Sequence, residues 1–204
     1  MNTVQAKGTK RLGRPLSFDR AHALDCAILL FWAHGYEATS VADLTKAMGI
    51  TPPSLYAAFG DKKALFLEAV ALYCSRSPFA ENPIVTAKTA GEAAKQMLNG
   101  AADHFTGKDT PHGCLLASAA IVCSAAAEDV RKALANIRQQ TELHLRDKIL
   151  ADIASGSLPD DTDADLLAAY VLAMIQGMAT LARDGASRER LLSLAGAMMH
   201  SWPS

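Results

Sequence analysis

Residues 39–63 read TSVADLTKAMGITPPSLYAAFGDKK, and the rest of the chain is best understood from them. Ser40 to Ala47 predicts a short amphipathic helix with Val41, Leu44 and Met48 on one face. Gly49 follows it, at a position where a left-handed residue ends a helix at little cost. Thr51 can cap a second helix, and Pro52 and Pro53 suit its first turn, where their missing amide hydrogens would be unpaired in any case. Leu55 and Phe59 sit four apart on the buried side of that helix, and Gly60 stops it. Two short helices joined by a tight Gly-containing turn form the helix-turn-helix pattern, whose second helix is slim enough to enter a DNA major groove.

The longer run carries more. GYEATSVADLTKAMGIT followed by SLYAAFGDKKALF resembles the DNA-binding domain of TetR-family transcriptional regulators, with Gly35, Tyr36, Thr39, Ser40, Gly49, Leu55, Tyr56, Phe59 and Lys62 at matching positions. The resemblance spans roughly Phe18 to Tyr73. It departs from the common pattern at Pro52 and Pro53, where a basic residue and a Gly are usual, and at Ala57 and Ala58, where larger side chains are usual. Fewer hydrogen-bond donors therefore remain for base edges. The resemblance implies an all-α chain in three parts. These are a flexible basic arm over 1–17, a three-helix helix-turn-helix domain over 18–75, and a larger helical domain over 76–204 for effector binding and dimerisation. It also implies a homodimeric regulator on a pseudo-palindromic operator, a repressor released by an unidentified small molecule, with activation as the open alternative.

Composition agrees with the helical reading: half of the 204 residues are hydrophobic, Ala and Leu abound, and β-branched runs are scarce. The formal net charge of -1 hides an asymmetry. Residues 1–63 hold eight Lys and Arg against five acids, a balance of +3, and the remainder holds twelve against sixteen, a balance of -4. The N-terminus, MNTVQAKGTKRLGRP, has no apolar targeting core, and the apolar runs further on look interrupted short of the ~20 residues a membrane span needs. Four cysteines without paired spacing fit a reducing compartment, so a cytoplasmic location without membrane contact is expected. No cofactor is implied.

Arg11 and Arg14 stand in the basic arm, next to a helix-turn-helix that such an arm could supplement by reaching phosphates or the minor groove. A first helix opens at Ser17 or Asp19 and runs to about His34, with Leu24, Ala27, Ile28 and Phe31 as its apolar stripe and Trp32 at its edge. Thr39 can cap the second helix or hydrogen-bond a phosphate, and Ser40 is a second candidate for the phosphate. Burial of Leu55 and Phe59 turns Thr51, Pro52, Pro53, Ser54, Tyr56 and Ala57 outward as candidate DNA contacts. The resemblance assigns Tyr56 to DNA. Asp61 caps a helix beginning at Lys62, whose ammonium is poorly placed for helix stability but well placed to hold a phosphate. That helix continues through Leu67, Val70, Ala71 and Cys74 until SPFAENP breaks it.

Five more helices are predicted: Thr89 to Thr106, Leu115 to Ser124, Glu128 to Ala154, Ala164 to Arg183, and Ser187 to His200. The last two are apolar on more than one face. By resemblance they pair with their twins in a four-helix dimer bundle, with Leu167, Val171, Met178, Leu181, Leu191, Leu194, Met198 and Trp202 as candidates and Gly177 and Gly196 permitting close approach. A pocket among the bundle helices would draw on Met97, His104, Phe105, His112, Cys114, Tyr170, Met174 and Gln176.

Other function classes fare worse. His112 and Cys114 are too slight a pair for a nucleophile and base, and no Gly-rich phosphate loop, HExxH or CxxC occurs, so no enzyme is expected. A thiol-responsive regulator stays open, because Cys114 near a helix N-terminus could have a lowered pKa. Cys114 and Cys123 cannot bond to each other within one straight helix, where nine residues separate them by ~13 Å. A helical interaction protein that binds no DNA would explain the apolar helices but neither the basic arm nor the constellation from Thr39 to Lys62.

Overall fold

The structure, a computed structural model, describes residues 18–76, 82–120 and 124–203. Arg11, Arg14, Cys123 and part of the SPFAENP break lie outside the described residues. The elements run α1 (Arg20–His34), α2 (Val41–Met48), α3 (Pro52–Phe59), α4 (Lys62–Arg76), α5 (Pro83–Thr86), α6 (Ala90–Phe105), α7 (Leu115–Ser118), a 3₁₀ turn (Ala125–Ala127), α8 (Glu128–Ala154), α9 (Ala164–Arg183) and α10 (Arg188–His200), with no strand among the described residues.

Local chemistry sets most of these ends. Asp19 accepts from the N–H groups of Ala21 and His22 to start α1. Ser40 and Asp43 cap α2 reciprocally, and Gly49 closes it in the left-handed region at φ 66°, ψ 31°. Thr51, Thr89, Asp163 and Ser187 cap α3, α6, α9 and α10.

α1 packs between α2 and α4, and the four N-terminal helices share one core. Its centre is aromatic, with Phe31 edge-on to Phe66 at 4.9 Å and Tyr36 against Phe66 at 5.0 Å. Trp32 is buried at this core rather than lying at its edge. On α4 the buried stripe is Leu65, Phe66, Ala69, Val70 and Tyr73, whereas Leu67 and Ala71 face solvent and Cys74 is half-buried. The expected stripe is off by one position because the two aromatics are drawn into the cluster on α1.

In the second half α9 packs against α8 and α6, and α10 covers α6. By length and composition α9 is apolar enough to cross a membrane, contrary to the sequence expectation. Eight of its residues, among them Val171, Leu172, Ile175 and Met178, are buried against the neighbouring helices, as in the central helix of a bundle.

Two further expectations are corrected. Pro83–Thr86 is an additional short helix, and the helix expected from Leu115 to Ser124 stops at Ser118. Its carbonyls are claimed from a distance: Arg138 Nη1 donates to Leu116 O and the Tyr36 N–H to Ala119 O, at 2.8 Å in the latter case. Those oxygens would otherwise accept from residues four further on. Just before α7, Gly113 adopts φ 86°, and a Cβ there would lie 2.8 Å from Ala179 O on α9.

Several joints tie the N-terminal helices to the rest. Besides the bond from Tyr36 to Ala119, Glu37 Oε1 accepts from Ser124 N and Oγ at 2.8 and 2.7 Å. Lys63 Nζ meets Asp129 Oδ2 at 2.8 Å, and Arg183 Nη2 donates to Trp32 O and Ala33 O at 2.7 and 3.0 Å.

Candidate functional site

The short helix α3 buries Leu55 and Phe59 and presents Thr51, Pro52, Pro53, Tyr56 and Ala57 to solvent, with Ser54 half-buried. Tyr56 is 50% exposed. Thr51 Oγ1 accepts from the Ser54 N–H and lies 2.9 Å from Ser54 Oγ, so both hydroxyls sit at the N-terminal end of the helix. The outcome is a convex, nearly uncharged ridge about two turns long, with apolar ring edges and three hydroxyls as its chemistry.

Arg20 fixes the other end of this ridge. Its guanidinium grips Glu68 with two nitrogens, reaches Ala58 O at 3.3 Å and lies 4.5 Å from the centroid of the Phe59 ring. A cation at a helix C-terminus is favourable with the helix dipole, and stacking on Phe59 sets the rotation of α3. Nothing local in the sequence marks Arg20 for this, since Glu68 lies 48 residues away.

Lys62 stands at the foot of α3. Its Nζ is 4.5 Å from the centroid of the Tyr36 ring and 3.5 Å from Glu37 O, and partial burial lowers its pKa. Asp61 caps α4 beside it, accepting from Ala64 N at 2.7 Å. The ammonium is thus tethered near the N-terminal amides of α4, where the two can address one anion together. Lys63 instead turns to Asp129, whose carboxylate raises its pKa.

The structure revises the role of Thr39. It is 1% exposed and donates its hydroxyl proton to Gly35 O at 2.7 Å, so it staples the corner between α1 and α2 rather than capping α2 or facing outward. Ser40 is the cap. Its Oγ donates to Asp43 Oδ2 at 2.6 Å and accepts from the Asp43 N–H, and these bonds hold the Asp43 carboxyl below its ordinary range. Ser40 remains exposed at the positive end of α2.

A cavity of about 210 Å³ lies within the second half. Tyr73 and Cys74 line it from α4, Met97 and Phe105 from α6, and Cys114, Leu116 and Ala117 from around α7. α8 adds Ile137, Arg138 and Thr141, and α9 adds Leu172, Ile175 and Gln176. Met97, Phe105, Cys114 and Gln176 are therefore brought together as expected. The other four candidates are not. His104 lies behind the wall, with Nε2 2.8 Å from the Tyr73 hydroxyl and its ring stacked on Trp32, and burial lowers its pKa. His112 is exposed outside the cavity. Tyr170 and Met174 sit on a different side of α9, because a step of two residues from Leu172 or Gln176 turns about 200° around the helix, away from the cavity.

Cys114 is buried, at 8% exposure. Its Sγ accepts from the Tyr73 hydroxyl at 3.6 Å, and burial pushes the thiol above its ordinary pKa. With α7 only four residues long, there is no helix dipole of consequence to offset that burial, so the lowered pKa entertained from sequence is corrected. Among the described residues no group of three or more His, Cys, Asp and Glu is placed to hold a metal ion.

The outer face of α9 and α10 also differs from expectation. Val171, Met178, Leu191 and Met198 are buried within the chain and cannot meet a second copy, while Leu167, Leu181, Leu194 and Trp202 are half-buried. The exposed face is carried by Leu166 (67% exposed), Tyr170 (46%), Ala173 and Gly177 on α9, and by Gly196 and Ala197 on α10. Above Gly177 and Gly196 there is open space.

Comparisons with known proteins agree with this geometry. Residues 23–69 match the family model described as bacterial regulatory proteins, tetR family. Residues 92–195 match the model of the tetracyclin repressor-like C-terminal domain. The HTH-type transcriptional repressor ComR of Escherichia coli (strain K12) is 37% identical over 95% of this chain and 93% of its own length. BdcR, another HTH-type transcriptional repressor of that organism, is 28% identical over 94% of this chain and 93% of its own. The solved structure of a cysteine-substituted TetR family regulator CifR, in complex with 26-base-pair operator DNA, superposes with a TM-score of 0.87 at 39% identity, covering 93% of this chain and 100% of that one.

Proposed function

The chain belongs to the TetR family of bacterial regulatory proteins, as a DNA-binding transcriptional regulator, and on that basis we propose that it is a homodimeric repressor released from a pseudo-palindromic operator by a small molecule. The observation that carries the reading is the exposed ridge of α3, held in fixed rotation by buried Leu55 and Phe59 and by Arg20, with Lys62 at its foot. Tyr56, Thr51, Ser54 and the rings of Pro52 and Pro53 meet base edges and thymine methyls. Ser40, Lys62 and the N-terminal amides of α4 take phosphates, and Arg11 and Arg14 add contacts from the arm. Residues 18–75 act as the DNA-binding domain and residues 76–204 as the domain for effector and dimer.

Repression is favoured because both E. coli relatives named above are repressors. The dimer forms through the exposed face of α9 and α10, where Leu166 and Tyr170 supply apolar surface and Gly177 and Gly196 leave room for backbone approach. The effector occupies the cavity beneath α7. The joints from α7 and α9 to Tyr36, Trp32 and Ala33 transmit its presence, because any shift of these elements moves the base of the N-terminal helices. An effector preferring the arrangement with mismatched spacing of the two α3 helices lowers operator affinity by that preference.

The test is binding to the DNA flanking the protein's own gene against scrambled duplex of equal length at about 0.15 M salt. The expected result is preference for the flanking DNA with two chains per site. Equal binding to both duplexes and to genomic fragments at large would overturn the reading.

A further inference from the structure

Arg138 is the charged side chain in a largely apolar chamber. It sits in the middle of α8 and lines the cavity together with Ile137, Met97, Leu172 and Ile175, and burial lowers its pKa. The guanidinium keeps its charge in any protein setting and has five N–H donors. One is donated to Leu116 O, and among the described residues no carboxylate lies within ion-pair distance. The other two arginines of α8 contrast with it: Arg131 is clasped by Glu128, and Arg146 by Asp147 and Asp165. Half-buried charge is costly unless it is paired, and a planar guanidinium matches a carboxylate with two parallel hydrogen bonds.

We propose that the cavity binds an apolar carboxylic acid whose carboxylate docks on Arg138 while its hydrocarbon part fills the space among Met97, Phe105, Ile137 and Ile175. The proposal rests on the effector reading of this cavity. A space of about 210 Å³ accommodates about seven non-hydrogen atoms at water's share of about 30 Å³ each, close to the size of hexanoate or benzoate. A neighbouring hollow of about 120 Å³ shares Met97 and Thr141 with it and gives a longer chain somewhere to extend. Thr141 and Gln176 add polar groups on the wall, but the Thr141 hydroxyl donates to Ile137 O and the Gln176 amide nitrogen to Leu172 O, which leaves Arg138 as the charged donor for an anion. Docking also bears on the DNA-binding end. Arg138 holds Leu116 O, and three residues further along the same segment Ala119 O holds the Tyr36 N–H, whose ring supports Lys62.

The experiment is a matched series of probes on the full chain: benzoate, phenylacetate, hexanoate and octanoate, each against its neutral amide, read by calorimetric binding and by operator affinity. Acids should bind on the order of tenfold or more tighter than their amides, the range expected of charge-assisted hydrogen bonds, and should weaken operator binding. Arg138→Gln, which can still donate to Leu116 O, should abolish the difference between acid and amide while leaving amide binding in place. Amides binding as tightly as acids, or acids binding Arg138→Gln as well as wild type, would overturn the anionic proposal and leave the cavity's effector role standing. No binding of any probe, acid or amide, would count against both. Unaltered operator binding without probes keeps either outcome separate from the DNA-binding reading.

Discussion

Arg183→Ala measures how firmly the two halves of the chain are joined. Arg183 ends α9, and its Nη2 donates to Trp32 O and Ala33 O, two of the carbonyls that the last turn of α1 leaves without helical partners. Hydrogen bonds from a charged donor contribute about 1.5–3 kcal/mol where water is excluded. Here one side of the guanidinium faces solvent and the Ala33 carbonyl can be rehydrated, so the lower end of that range applies. A cation at a helix C-terminus adds about 0.3–1 kcal/mol. Together these put the loss at about 2–2.5 kcal/mol, or about 4–10 °C in melting temperature for a chain of this length. Protein concentration must be held fixed, since any association between chains contributes to apparent stability. Because the hook is also a route between α9 and α1, the variant should show a weaker effect of any bound effector on operator affinity than wild type. A melting temperature within about 1 °C of wild type, with an undiminished effector response, would show the hook to be neither a stabilising contact nor a coupling.

Other outcomes follow from the same geometry. A Cβ at Gly177 meets nothing within 4 Å and would replace a poor helix former, so Gly177→Leu should leave each chain as stable or more stable, whereas the dimer should dissociate more readily in sedimentation analysis; an intact dimer would move the interface off this face. His104 is held neutral by burial beside Tyr73, and its folded pKa lies below the ordinary 6.5. The stability this confers is fully present above about pH 6.5 and lost as pH falls through the folded value, so urea midpoints should drop between pH 7 and 5, and His104→Gln should flatten that drop; an identical slope in the variant would exclude His104 as the cause. Removing residues 1–14, which carry four Lys and Arg, should shallow the salt dependence of operator binding by about 0.9 for each phosphate that the arm neutralises, and an unchanged slope would leave the arm without a role on DNA.

The N-terminal helices are legible in sequence because their determinants are local. Gly49, Thr51 and the pair Leu55 and Phe59 act within a few residues of where they stand, and each behaves in the structure as its chemistry suggests, whereas the cap of α2 falls to Ser40 and not to Thr39. Thr39 misleads because a hydroxyl before a helix has two partners within reach, and the carbonyl that captures it belongs to the preceding corner. Distance in sequence explains the remaining misses. The run after Leu115 is rich in Ala and reads as helix, yet its carbonyls are taken by Tyr36 and Arg138, which no local pattern reveals.

The cavity is half legible for a related reason. On α8 the stripe from Val130 to Ile149 looks continuous, but the middle members Ile137 and Thr141 line a space instead of filling one, and periodicity cannot distinguish the two. Arg138 therefore carries no mark in the sequence. On α9 and α10 hydrophobicity alone assigns the most apolar positions to a partner, whereas the chain's own core takes them first: Val171, Met178, Leu191 and Met198 are inside. The outward face is defined by what remains, including two glycines that hydrophobicity never selects.

Whether α3 reads a specific sequence is tested by selecting bound duplexes from a random pool at about 0.15 M salt with wild type and Tyr56→Ala in parallel. Tyr56 is half exposed and uninvolved in the core, so the substitution leaves helicity and dimerisation unchanged. Wild type should enrich a pseudo-palindrome whose half-sites lie one helical turn or somewhat more apart, and Tyr56→Ala should enrich it weakly or not at all. Failure of wild type to enrich any motif, or recovery of the same motif with equal affinity by Tyr56→Ala, would mean that α3 is not the reading element.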